Sequence, residues 1–251
     1  MNTLRAMYAL WYREYKIFLR EHSRVVSSIA TPVMWVLFVG TGFGASFSPA
    51  PGLPYRVWLF PGIMAQSILF GSVFFGVYII WDRKFDVLKA ILVAPVSRTA
   101  IFLGKVAGGA TEALLQGVIL LLIGYSFFGL SGSGLLAALP PLLLLALGFV
   151  SVGLFIGSLF DSLEGFQVIV SFMLFPLFFL SGALFPLAPL AKQYPWLYWL
   201  TRANPVTYAV DALRGALLGL NDFSYWFDCA VLAGFALIAI AAGTRAFQRM
   251  K

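Results

Sequence analysis

The sequence predicts an all-α membrane protein. Six transmembrane helices are expected, with an N-terminal amphipathic interfacial helix and a re-entrant or interfacial helical segment before the last span. Three observations predict this. Hydrophobic residues make up 61% of the 251 residues and charged residues 11%, against roughly a quarter charged in soluble domains. So much apolar surface needs lipid as its solvent. Apolar runs of about 20 residues, the length that crosses the hydrocarbon core, recur between short polar or proline-marked breaks. Finally, the basic residues are unevenly divided. Of 17 Lys and Arg, only Arg56, Lys192, Arg202 and Arg214 fall on one side of the succession of spans. The positive-inside rule then places both termini and the 81–105 loop in the cytoplasm.

Residues 1–251 are read as one domain. Residues 1–24 hold the interfacial helix, with Leu4, Tyr8, Trp11, Tyr15 and Phe18 on one stripe and Arg13, Lys16, Arg20 and Arg24 on another. Aromatic bulk opposite basic charge suits a helix lying in the membrane surface. Spans one to five occupy 25–185: 25–47, 58–81 between flanking tryptophans, 99–128, 135–160 with a kink or offset at Pro140-Pro141, and 166–185 around Pro176. The 186–220 stretch is too polar and proline-marked for one straight span. Within it, Asn204-Pro205 starts a half-length helix over 206–218 that carries Asp211 and Arg214, three apart and able to pair on one face. The last span is 225–243.

The longest polar interruption is 81–105, with Arg83, Lys84, Lys89, Arg98 and Lys105. Phe85, Leu88 and Leu92 recur at helical spacing, so a short helix there has one apolar stripe. Pro95 ends it and Ser97 caps the next helix. Such a basic-rimmed helix is either a solvated turn at the bilayer surface or an element that docks a soluble partner.

Composition and motifs exclude several functions. The net charge of +7 lies in loops facing anionic lipid, which argues against nucleic acid as a partner. No phosphate-binding G-x-x-x-x-G-K loop is present, since Thr99 stands where the first glycine of a loop ending at Gly104-Lys105 belongs. His22 is the only histidine and Cys229 the only cysteine, so neither a zinc site nor a disulfide framework is expected, and no cofactor is assigned to this chain. No nucleophile elbow and no cleavable signal segment are read. Glu112, with Gln116 one turn on, lies well inside the third span. A carboxylate there costs roughly 2.5 kcal/mol or more, so it faces either a translocation path or a neighbouring helix.

Four stretches carry a resemblance: FPGIMAQS at 60–67, FDVLKAILVAPVSRTAIFLGK at 85–105, LSGALFPLAPL at 180–190 and NPVTYAVDALRGALLG at 204–219. In this order the chain resembles the permease subunit of type-2 ABC exporters, a family that includes drug-resistance, nodulation-factor and polysaccharide or lipid-linked export permeases. The resemblance implies a multi-pass protein of a bacterial or archaeal inner membrane. It implies a second permease copy, most simply a homodimer, and two copies of a cytoplasmic ATPase that binds ATP and Mg. It implies that Arg83, Lys84, Phe85, Leu88, Lys89, Leu92 and Pro95 form the coupling helix, bordered by Arg13, Glu14 and Lys16. Asn204, Pro205, Asp211 and Arg214 would shape the outer exit, and Glu112 and Gln116 are the path candidates. The competing expectation is a self-contained channel or ion-coupled transporter that uses Glu112.

Overall fold

The computed structural model describes residues 3–45, 52–93 and 96–249. Among them are twelve helices and no strand: α1 (Thr3–Arg20), α2 (His22–Gly44), α3 (Tyr55–Phe74), α4 (Val77–Lys84), α5 (Val87–Val93), α6 (Arg98–Phe128), α7 (Gly132–Leu159), α8 (Leu163–Phe179), α9 (Ala188–Gln193), α10 (Pro195–Ala203), α11 (Pro205–Leu218) and α12 (Tyr225–Arg249). Five stretches are long and apolar enough to cross a membrane: α2, α3 with α4, α6, α7 and α12. Pro95 and the side chains of Lys89 and Leu92, all expected in the coupling helix, lie outside the described residues.

The apolar α8 is 17 residues long, so the bounds predicted for the fifth span, 166–185, are corrected to Leu163–Phe179. The helix gives way after Phe179, where Leu180 and Ser181 donate to the Pro176 and Phe178 carbonyls. Gly182 then takes the left-handed conformation (φ +75°), which reverses the chain. The predicted kink at Pro140-Pro141 does not interrupt α7, which is helical through both prolines. Ser97 caps α6 as predicted, accepting from the Ala100 amide at 3.2 Å. Asn204 caps α11, its Oδ1 accepting from Val206 at 3.0 Å, with Pro205 in the first turn.

The face that α1 turns inward also differs from expectation. Ala6, Glu14 and Phe18 are buried, while Leu4 and Tyr8 of the predicted stripe are exposed. The cause lies in α6. A Cβ on Gly104 would meet Leu10 Cβ at 2.9 Å, and one on Gly108 would meet Glu14 Cβ at 2.6 Å. Two glycines one turn apart let α1 settle on its slimmer face. Tyr8 stacks on Tyr12 and Trp11 on Tyr15 along its flank.

Helix α7 is central, packing against α12, α6, α3 and α11. Its closest crossing is with the α3–α4 junction. A Cβ on Gly153 would lie 2.3 Å from the Val73 carbonyl oxygen, and one on Gly76 would lie 2.0 Å from that of Gly153. In lipid, where van der Waals packing drives helix association, small residues permit this approach. We expect Gly153→Ala to force these helices apart and cost about 1–3 kcal/mol, as overpacking does. Denaturant unfolding in detergent measures the loss, and an unchanged midpoint would refute the close crossing.

Candidate functional site

The start of α1, the α4–α5 turn, the start of α6 and the end of α12 share one end of the bundle. Arg98 at the start of α6 donates to the Gln248 carbonyl of α12 at 3.0 Å, and Phe102 packs on Phe247. At this end four charged side chains meet. Lys105 is fully buried. Its Nζ donates to Asp82 Oδ2 at 2.6 Å and to Glu14 Oε1 at 3.1 Å. Arg13 closes the ring, donating to Asp82 Oδ1 at 2.6 Å and to Glu14 Oε1 at 3.0 Å. Two cations and two anions thus tie α1, α4 and α6 together. Burial alone would lower the Arg13 pKa, but the hydrogen bond with Asp82 and the nearby Glu14 charge leave it raised.

The sequence reading placed Lys105 on the solvated basic rim, and that is corrected. It stands eight residues beyond the Ser97 cap, about 12 Å along the helix axis, and α1 covers it. Asp82 was not singled out at all. The usable signal was depth: a lysine two turns inside an apolar helix needs buried counter-charges.

Helix α5 also points differently from expectation. Leu88 is 2% exposed and packs with Phe75, Ile79, Phe102 and Phe247. It is therefore core and not a contact offered to a partner. Among the described side chains of this turn and helix, Phe85 at 70% and Val93 at 86% exposure are the large apolar ones presented outward. The change follows from Asp86, whose left-handed backbone (φ 58°) turns the chain between α4 and α5. Arg83 pairs with Asp161 in the α7–α8 turn and donates to the Ser158 carbonyl at 3.2 Å. Lys84 stands at the end of α4 and Lys16 lies over the Tyr12 ring at 4.8 Å.

A second cluster sits where α1 hands over to α2. Glu112 of α6 forms an ion pair with Arg24 of α2. Arg24 also pairs with Glu21 at 3.5 Å and donates to the Tyr78 hydroxyl, which in turn donates to Glu21 at 3.0 Å. One turn deeper, Gln116 Nε2 donates to the Ser28 carbonyl at 2.9 Å and to Ser67 Oγ at 2.7 Å. Glu112, through its ion pair, and Gln116, through its amide nitrogen, therefore join α6 to α2 and α3. Gln116 also lines a cavity of about 440 Å³ with Thr31, Trp35, Gln66 and Phe70.

At the opposite end, Arg214 of α11 is buried over the Trp58 ring, 3.6 Å from its centroid. It donates to the Gly182 and Ala183 carbonyls at 2.8 and 3.0 Å. Asp211 accepts from the Asp222 and Phe223 amides, each at 2.8 Å. The two side chains thus bond to backbone and not, as expected, to each other. Asn204 Nδ2 donates to the Leu177 carbonyl at 2.6 Å.

Comparison with known proteins gives a family. Residues 5–218 match the family model described as "ABC-2 type transporter". The chain is 27% identical over 248 residues to Nodulation protein J of Rhizobium meliloti strain 1021, covering 96% of this chain and 92% of that protein. It is 26% identical over 224 residues to the Inner membrane transport permease YadH of Escherichia coli K12, covering 86% of this chain and 84% of that permease.

Removing one member of a buried ion cluster costs about 3–5 kcal/mol, because the partner charge is left uncompensated. Lys105→Met should therefore destabilise the fold by that amount. Combining it with Glu14→Gln should cost less than the two changes summed. Unfolding midpoints of the four proteins in one double-mutant cycle check this, and strict additivity would show that the two groups do not interact.

Proposed function

The chain belongs to the ABC-2 type transporter family, and on that premise we propose that it is the membrane permease subunit of an ATP-binding-cassette exporter. In this reading α8 completes a set of six spans, fifth in order, and both termini face the cytoplasm. Two copies of the chain enclose a path for an amphipathic, lipid-linked or glycan-type substrate. Two copies of a separate cytoplasmic ATPase subunit bind ATP and Mg and drive it, and this chain has no enzymatic role of its own. The inner-membrane location is carried over from the name of the Escherichia coli relative.

The observation that carries the reading is the Arg13–Glu14–Lys105–Asp82 cluster. A push on α5 reaches α3 and α6 only if the elements between them do not yield. Leu88 seats α5 in an apolar cluster with Phe75 of the α3–α4 junction and Phe102 of α6. The charge cluster locks α1, α4 and α6 beside it. Closure of the ATPase pair then moves the second and third spans as one body. Phe85 and Val93, exposed beyond this cluster, are the apolar side chains that meet the ATPase.

Phe85→Asp and Val93→Asp are expected to leave the amount of folded protein unchanged and weaken ATPase capture about tenfold or more, since one buried apolar contact is worth roughly 1.5–3 kcal/mol. Leu88→Asp, by contrast, should reduce folded protein itself. Co-purification in mild detergent with the ATPase subunit, alongside export by reconstituted vesicles, tests both. Export by this polypeptide alone, with no second protein, would overturn the reading.

A further inference from the structure

The cavity of about 440 Å³ beside Gln116 draws its wall from the middle of three apolar stretches, His22–Gly44, Tyr55–Lys84 and Arg98–Phe128. Thr31 of α2 and Phe175 of α8 are exposed, so its mouth opens between these two helices. Hydroxyls on the spans commonly turn back onto their own helix. Ser27, Ser28, Thr41 and Thr111 each donate to a carbonyl three or four residues before. Three other side chains of the wall do not. The Thr31 hydroxyl and the Gln66 amide bond to no described residue. The Ser67 hydroxyl accepts from Gln116 Nε2 and donates to no described residue.

Gln116 adds a fourth polar group. It is 6% exposed. The Ser28 carbonyl can only accept, which fixes the amide nitrogen toward it and leaves Oε1 on the other side. Oε1 accepts from no described donor. It lies beside Gly71, where a Cβ would stand 3.3 Å away, so the missing side chain leaves it open to the cavity. Polar groups at this depth cost free energy unless something bonds them. The bonds of the fold do not account for these four, and a ligand in the cavity does.

The rest of the wall is aromatic and uncharged. Trp35, Phe70 and Phe175 line the same space. The buried Phe178 meets Trp35 at 79° and Phe70 at 89°, and Phe70 meets Phe175 at 80°. Edge-to-face packing of this kind holds the rings as fixed walls. No described side chain of the wall carries a charge. Glu112, one turn from Gln116, is already paired with Arg24.

We propose that this cavity binds an uncharged glycosyl unit of the transported molecule. The proposal rests on the permease reading and narrows its substrate class. A sugar ring has an apolar C–H face that stacks on an aromatic wall, and an edge of hydroxyls that both donate and accept. The wall offers donors at Gln66 Nε2, Thr31 and Ser67, and acceptors at Gln66 Oε1 and Gln116 Oε1. A few placed polar groups among aromatic side chains, in a space within roughly 300–1,000 Å³, are what small-molecule sites present. An anionic head group needs a cation, and the described wall has none. An organic cation can lie over the rings, but it leaves the three donors unpaired and finds no free carboxylate. A bare alkyl chain leaves all four polar groups unpaired.

The test takes the chain from its membrane directly into copolymer nanodiscs, with no glycoside detergent, ATPase subunit or nucleotide present. Tritiated octyl β-glucoside, held below its micelle concentration, should bind saturably. Unlabelled octyl β-glucoside should displace it, and octyl sulfate and octyltrimethylammonium should not. Methyl β-glucoside identifies the source: displacement at matched concentration supports a site for a free saccharide, and failure to displace supports one for a lipid-linked saccharide. Gln66→Leu and Thr31→Val should each weaken binding about threefold to tenfold, the loss of one neutral hydrogen bond. Thermal unfolding should not change in either, since neither side chain bonds to the described fold. Binding that does not saturate overturns the proposal, as does equal displacement by the charged amphiphiles or binding that survives both substitutions unchanged. The displacement series uses the unaltered protein and stands whatever the variants do. Failure here leaves the permease reading intact, whereas export by the chain alone would remove that reading without touching the binding result.

Discussion

Lys105 has no access to water, so its ammonium must find its counter-charges inside the protein, and much of the terminus-bearing end follows from that constraint. Glu14 and Asp82 supply them from α1 and α4, and Arg13 balances the second carboxylate. An ion cluster of this kind adds little net stability over a well-packed apolar alternative. What it fixes is arrangement, because any sliding of α1 along α6 would strand a charge. The glycines of α6 belong to the same constraint. Glu14 reaches Lys105 only because α1 rides on Gly104 and Gly108, where a single Cβ would already collide. Close helix approach and charge pairing therefore stand or fall together.

The opposite end answers a different demand. Backbone leaving a helix within or near lipid must have its carbonyls and amides satisfied by the protein. The turn after α8 exposes the Gly182 and Ala183 carbonyls, and Arg214 covers both. Asn204 takes the Leu177 carbonyl, and Thr207 Oγ1 donates to that of Thr201 at 2.7 Å. Asp211 holds the amides of the loop entering α12. A half-length helix rich in polar side chains is thus the element that allows the chain to turn here. Its polar residues are spent on backbone.

The long helices were legible because hydropathy and length report them directly, and Ser97 and Asn204 were legible as caps because capping is a local matter. The predicted start of the half-length helix and the end of α6 near Phe128 rest on the same local signals. The faces were not legible. Phe85 and Leu88 share a stripe by spacing, yet one is exposed and the other is core, since the left-handed Asp86 lies between them. Nor could the charge cluster be read, because residues 13, 14, 82 and 105 are brought together only by tertiary packing. Depth within α6 distinguishes Lys105 from the exposed Lys16 and Lys84, but depth does not say which carboxylates reach it. Glu112 was conspicuous by depth, but its partner Arg24 sat at the edge of another helix and read as part of a basic surface.

The distribution of burial shows where a driven motion can be absorbed. Helices α3, α6 and α7 are buried through much of their length, whereas α2 buries only Pro32, Val36 and Gly40, and α8 only Phe166, Val170, Leu174 and Phe178. Each of these two outer helices thus meets the protein along one stripe. The cavity containing Gln116 lies between them and the core, with Thr31 and Trp35 from α2 and Phe175 from α8 in its wall. Near it, α2 is held to α6 by the Arg24–Glu112 pair and the Gln116–Ser28 bond. In the proposed mechanism a push at α5 enters the locked α1–α4–α6 unit, which does not yield. Relative movement must then occur at the weakest seam, which is the one between α8 and the rest of the bundle. A path that opens there needs no hinge inside a span, only a shear of α8 against a core that stays whole.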